Sequence, residues 1–258
     1  MYFPCILVII RIRTLALSRR IGEKDMNKWL KTILFLVGSA ILTRLIPFSY
    51  VFRTVDTMIH EFAHAIVTLM TSGRVLAIQL NANHSGVTYS TTTSTLSSIL
   101  VSLAGYTLAS VCAALLFYWM SKRREKWGLI LLTAIAVVML IMYVHQGYGV
   151  FWLVGFIVLN IVMMYLPPTI HNIYYGLLAF LTLEESVLGP IYLVTLSFSG
   201  RGRAGDASNL ASWTSVPAVF WALLFVAFSL VCAKFAFSWF FNRRPSPRGQ
   251  ESNQKFSL

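Results

Sequence analysis

Met58-Ile-His-Glu-Phe-Ala-His-Ala-Ile-Val67 is the stretch on which the reading of this protein turns. Its His60-Glu61-x-x-His64 spacing sets two imidazoles one turn apart on one face of an α-helix, within reach of a single Zn²⁺. Glu61 then stands beside them, placed to activate a water. That is metallopeptidase chemistry. Phe62, Ala63, Ala65, Ile66, Val67, Leu69 and Met70 surround the motif with apolar side chains, and ionisable groups in such surroundings are costly unless they have a function. The stretch therefore implies a zinc site inside a membrane.

The rest of the sequence agrees. Hydrophobic residues make up 57% of it and charged residues only 12%, and the mean hydropathy is +0.70, which points to an integral membrane protein rather than a soluble domain. A helix needs about 20 apolar residues to cross a hydrocarbon core, and six stretches meet that: Trp29 to Pro47, Thr95 to Met120, Trp127 to Val144, Gly149 to Leu166, Ile173 to Leu196 and Trp213 to Phe241. The motif segment, Arg53 to Thr71, is a seventh candidate. Because it carries Arg53, Asp56, His60, Glu61 and His64, it must be enclosed by other helices or be partly re-entrant. The expected fold is an all-α polytopic membrane protein of six to seven transmembrane helices.

The net charge of +12 sits at span ends and not along a face, which argues against nucleic-acid binding and for topology signals and contact with anionic lipid. One basic cluster runs from Arg11 to Lys31, a second covers Lys122, Arg123, Arg124 and Lys126, and a third Arg243, Arg244 and Arg248. The positive-inside rule assigns all three to the cytoplasm. Two cytoplasmic clusters are separated by an even number of spans, yet three candidates lie between the first and second. The His-Glu-x-x-His segment is therefore expected not to cross fully. Cys5, Cys112 and Cys232 are too scattered for a disulfide framework or a thiolate metal site and read as small apolar fillers.

Residues 1–28 read as a basic N-terminal segment whose natural start is either Met1 or Met26, residues 29–241 as one membrane-embedded domain, and residues 242–258 as a disordered basic tail. The helical pattern breaks at Ser72-Gly73. There Val75 to Leu80, a turn at Asn81 to Gly86 and Val87 to Thr91 predict a membrane-associated β-hairpin directly after the metal helix.

A catalytic zinc takes three protein ligands and an open position. Asp206, on a Gly-bounded segment before the last apolar helix, is one candidate for the third, with an ordinary helix N-cap as its alternative. Glu184 and Glu185 lie inside a span, where ligation competes with a structural hydrogen bond or protonation. Glu125 and Glu251 read as solvated charges, and His84, His145 and His171 as polar residues at water-exposed boundaries. Asp56, one turn before His60, is placed to support an imidazole.

His60-Glu-Phe-Ala-His-Ala, Ala82-Asn-His-Ser-Gly-Val-Thr, Leu103-Ala-Gly-Tyr, Gly205-Asp-Ala-Ser-Asn-Leu-Ala and Pro217-Ala-Val-Phe-Trp, in this order, resemble the compact branch of the site-2 protease family of zinc metallopeptidases, which has no PDZ domain. The resemblance covers roughly Trp29 to Phe241. It implies a helical fold in which the metal helix, a hairpin and a later helix enclose the zinc, with His60 and His64 as ligands and Glu61 as general base. The Asp-Gly motif from which the family takes its third ligand is absent, and Asp206 takes its place by sequence order. The expectation is a zinc-dependent endopeptidase of the bilayer, in the plasma membrane, cleaving a transmembrane segment of another membrane protein. The competing reading is an inactive membrane scaffold or chaperone that retains the metal helix.

Overall fold

The computed structural model describes residues 50–199 and 204–242. The expected span Trp29 to Pro47, the first basic cluster, Cys5, Arg201, Arg203 and the C-terminal tail lie outside the described residues. Within them the architecture is helical with one small antiparallel sheet: α1 (Tyr50–Met70), β1 (Arg74–Leu80), β2 (Gly86–Thr91), α2 (Thr95–Ser121), α3 (Glu125–Met142), α4 (Tyr148–Tyr165), α5 (Pro168–Phe198), α6 (Gly205–Thr214) and α7 (Ala218–Phe241). Five of these helices, α2, α3, α4, α5 and α7, are long and apolar enough to cross a membrane.

The helix α1 carries the metal motif and stops where Ser72 turns into the left-handed region at φ 61 and Gly73 N–H donates back to Thr68 C=O at 2.8 Å. At Gly73 a Cβ would meet the Thr91 carbonyl at 2.5 Å, so the backbone can fold straight back into the hairpin only because no side group is there. The strands pair with Ile78 opposite Thr88 and Leu80 opposite Gly86, with an irregularity between Val75 and Ala77. Ile78 and Leu80 are buried, and Ile78 N–H leaves the sheet to donate to Tyr143 C=O at 3.0 Å, at the end of α3. That contact covers the outer edge of β1. The outer edge of β2 faces a cavity instead.

Small residues on α2 let its neighbours approach closely, as is usual between membrane helices: Ser102, Ala104, Gly105, Ala109 and Ala113 are all buried. At one end of the bundle α2, α5 and α7 share an aromatic core. The Phe117 ring lies 4.9 Å from Phe180, and Phe180 lies 5.4 Å from Phe240. Tyr118 also meets Trp239 at 5.3 Å, so the C-terminal ends of α2 and α7 stand together. The basic loop 122–124 is therefore at the same end as the exit of α7.

The helix α1 runs antiparallel to α2: Thr71 meets Thr93, His64 meets Val101 and His60 meets Gly105. Trp152 Nε1 donates to Val51 C=O at 2.9 Å and the Thr54 hydroxyl sits 3.4 Å from that of Tyr148, which places the start of α1 against the start of α4. The Thr93 hydroxyl donates to Thr71 C=O at 3.1 Å, which places the other end beside the start of α2. With 21 residues α1 is about 30 Å long and lies alongside α2.

Three local expectations are corrected. The last span does not run from Trp213: Ser215 at φ 60 and Pro217, which has no N–H to continue a ladder, separate α6 from α7. Glu125 is not a solvated charge but is buried in the first turn of α3. His171 is also buried, where its Nδ1 donates to Met163 C=O at 3.1 Å and closes the exit of α4 onto α5. Cys112 and Cys232 are buried, as expected of small apolar fillers.

Candidate metal centre

The stripe of α1 formed by Arg53, Asp56, Thr57, His60, Glu61 and His64 lines a half-open cavity of about 900 Å³, bounded by β2, α2, α5 and α6. Three donor atoms converge in it. His60 Nε2 and His64 Nε2 are 3.1 Å apart, and Asp206 Oδ2 lies 3.1 Å from the first and 3.3 Å from the second. Around a tetrahedral zinc with bonds of about 2.0–2.1 Å, neighbouring ligand atoms stand about 3.3 Å apart, so this triangle has the size such an ion requires.

The protonation pattern also fits a cation. His64 Nδ1 lies 2.7 Å from Val101 C=O, and a carbonyl only accepts, so Nδ1 carries a proton and the neutral ring turns a bare lone pair at Nε2 toward the other two donors. Asp206 Oδ2 is buried and has no hydrogen-bond partner among the described residues. His64 Nε2 and a buried carboxylate oxygen, packed this closely beside His60 Nε2, call for a positive charge between them. Gly105 of α2 makes the room: a Cβ there would come 2.5 Å from His60 Nε2 and 2.6 Å from His64 Nε2.

Asp206 reaches this place from the first turn of α6, one residue inside the helix, and Ala204 is the N-cap residue. Ala207 and Leu210, the latter one turn on from Asp206, pack the adjoining face of α6 into a small cluster with Leu193, Ala222 and Phe225, which fixes the rotation that turns Asp206 inward. Neither adjacent glutamate joins the triangle. Glu185 is buried and pairs with Arg53, whose Nε donates to its Oε1 at 3.0 Å. Arg53 Nη1 is also 3.5 Å from His84 Nδ1, so His84, at the tip of the hairpin, faces the cavity and not open water. His145 is exposed. Asp56 lines the cavity, but its Oδ1 is buried with no hydrogen-bond partner among the described residues; the support given to the His64 ring comes from Val101 C=O instead.

Glu61 is buried beside the triangle, and Thr88 of β2 donates to its Oε2 at 2.6 Å. Gly86, two residues earlier on the same face of the strand, leaves space for it, since a Cβ there would fall 2.5 Å from both Glu61 Cγ and Oε1. The Tyr106 ring lies edge-on to His60 at 4.5 Å and against Phe225 at 5.2 Å. Val101, Gly105, Gly86 and Thr88 are the parts to which the sequence alone assigns no role. Gly86, Thr88 and Gly105 fall inside the Gly-Val-Thr and Ala-Gly-Tyr stretches, whereas a backbone carbonyl such as that of Val101 has no sequence signal at all.

No curated protein and no solved structure matches this sequence. A family model does, over residues 32–236, a range that contains the whole of the cavity and the elements that build it. With five candidate membrane spans and a His/His/Asp cluster among the described residues, the protein belongs to the peptidase M50B-like family.

Proposed function

We propose that the protein is a zinc-dependent intramembrane endopeptidase, built on residues 29–241 and working in the plasma membrane, that hydrolyses a peptide bond in or near a transmembrane segment of another membrane protein. The observation that carries this reading is the 3.1–3.3 Å triangle of His60, His64 and Asp206 with the Glu61 carboxylate beside it in a cavity. His60 Nε2, His64 Nε2 and Asp206 Oδ2 would hold the ion. When bound there, zinc supplies Lewis acidity, which polarises a carbonyl and makes water a nucleophile at neutral pH.

The remaining chemistry belongs to the protein's own residues. Glu61 takes the proton of the attacking water and returns it to the amide nitrogen as the C–N bond breaks. A peptide must be extended to expose that bond, and β2 offers an edge for it: Ser85, Gly86, Val87, Thr88, Ser90 and Thr92 all line the cavity. A substrate segment added to that edge as a third strand gains backbone hydrogen bonds whatever its side groups are. Such a segment has first to leave its helical form, so membrane-spanning substrates with helix-weakening residues near the bond are favoured.

Cleavage of quenched-fluorescent casein by the purified protein tests this. Glu61→Gln is expected to keep the metal and to abolish cleavage, because the amide has the same shape but takes no proton. Equal rates for the two proteins would leave the inactive-scaffold reading standing.

A further inference from the structure

Thr88 stands at the meeting point of the hairpin and the metal helix. Its hydroxyl lies 2.6 Å from Glu61 Oε2 and 3.1 Å from the backbone C=O of the same residue. Among the described residues, Thr88 supplies the hydrogen-bond donor to that carboxylate. Glu61 is buried, so few solvent contacts compete with that donor.

The register of the sheet gives the same residue a second contact. Ile78 is paired with Thr88, and Ile78 N–H points away from β2 to Tyr143 C=O. In an antiparallel ladder the two members of a pair either both exchange backbone hydrogen bonds or both turn their N–H and C=O outward. Thr88 therefore turns its backbone groups to the open edge of β2, toward the cavity, where an added strand would meet them.

We infer that Thr88 is a positioning residue for peptide hydrolysis, holding Glu61 Oε2 through its hydroxyl so that Oε1 takes and returns the proton, while its backbone seats the substrate strand. The inference rests on Glu61 being the base of a metallopeptidase. In the forward step a proton leaves the attacking water for Oε1 as the C–O bond forms, and the same proton passes to the amide nitrogen as the C–N bond breaks. Thr88 exchanges no proton with the substrate. When Oε1 is protonated the carboxyl is a weaker acceptor, and the hydroxyl still has the Glu61 C=O within reach, so it is satisfied at both stages. Gly86 completes the arrangement by leaving Oε1 uncrowded.

The test compares wild type, Glu61→Gln, Thr88→Val, Thr88→Ser and Thr88→Cys as full-length zinc-loaded proteins, with zinc content, Tm, and kcat and KM on quenched-fluorescent casein as readouts. Thr88→Val keeps the β-branch and loses only the donor. It is expected to hold zinc and melt like wild type, to keep KM because the backbone is unchanged, and to lose about 10- to 100-fold in kcat, the range typical of supporting hydrogen bonds in metal sites. Thr88→Ser restores kcat. If Thr88→Val disturbs zinc content or Tm, the comparison of Thr88→Ser with Thr88→Cys replaces it, since the two differ chiefly in donor strength, and the cysteine variant is expected to be slower. A wild-type kcat in Thr88→Val, or in Thr88→Cys where that comparison is used, with Glu61→Gln inactive, overturns the inference and leaves the peptidase reading intact. Equal rates for wild type and Glu61→Gln overturn both.

Discussion

At the scale of residues, two glycines separate the proposed metal binding from the proposed catalysis. A methyl at Gly105 falls on the lone pairs of both imidazoles, whereas one at Gly86 falls on the Glu61 carboxylate. Gly105→Ala is accordingly expected to lose stoichiometric zinc, and Gly86→Ala to keep it while casein cleavage drops by about 10-fold or more, because displacement of a general base forfeits part of the roughly 10²- to 10⁴-fold it contributes. Zinc content and initial rate, measured on the same preparations, check both, and the reverse pattern contradicts the geometry. His60, Glu61 and His64 are legible from five residues of sequence because helical periodicity alone brings them together. Asp206 is legible only as one of several carboxylates: its ligand and N-cap readings differ in where α6 begins and which way it rotates, and packing of Ala207 and Leu210 decides that. The two glycines belong to recognisable motifs, but the space they leave is a property of the folded neighbours and not of their own sequence.

At the scale of elements, the hairpin and α1 are tied to the bundle by the Arg53–Glu185 pair, which joins α1 to α5 at 3.0 Å with the carboxylate buried. Removing one partner leaves the other charge desolvated, a change that costs about 3 kcal/mol in buried pairs, while replacing both with apolar groups costs much less. Arg53→Met is thus expected to lower the unfolding midpoint in detergent substantially and Arg53→Met/Glu185→Met to recover most of the loss; a double variant less stable than either single one would mean that the pair is not coupled as described. The hairpin is readable because Ser72-Gly73 and the Asn81 to Gly86 turn bracket two short alternating runs. The division of the last span is not. Apolar composition runs from Trp213 to Phe241 with little relief, and the break depends on Ser215 adopting a left-handed backbone that its identity does not demand.

At the scale of the whole molecule, the arrangement of ends bears on topology. The loop after α2 and the exit of α7 share one end, and four candidate spans lie between the Lys122–Lys126 cluster and the basic stretch that follows α7. An even number of spans places both of these basic ends on one side of the membrane. With the basic end cytoplasmic, Gln146 in the exposed turn between α3 and α4 lies outside. In a variant lacking Cys5, Cys112 and Cys232, a membrane-impermeant thiol reagent applied to intact cells is expected to modify Gln146→Cys and to spare Arg123→Cys; the opposite result inverts the orientation. The central claim, however, is that His60, His64 and Asp206 together hold one catalytic ion. Metal analysis of the purified protein tests it most directly: about one zinc per molecule in wild type, as for a single site of this kind, lost in His64→Ala and Asp206→Ala and retained in Glu184→Ala and Glu185→Ala. Zinc that persists without Asp206 but leaves with either glutamate would contradict it.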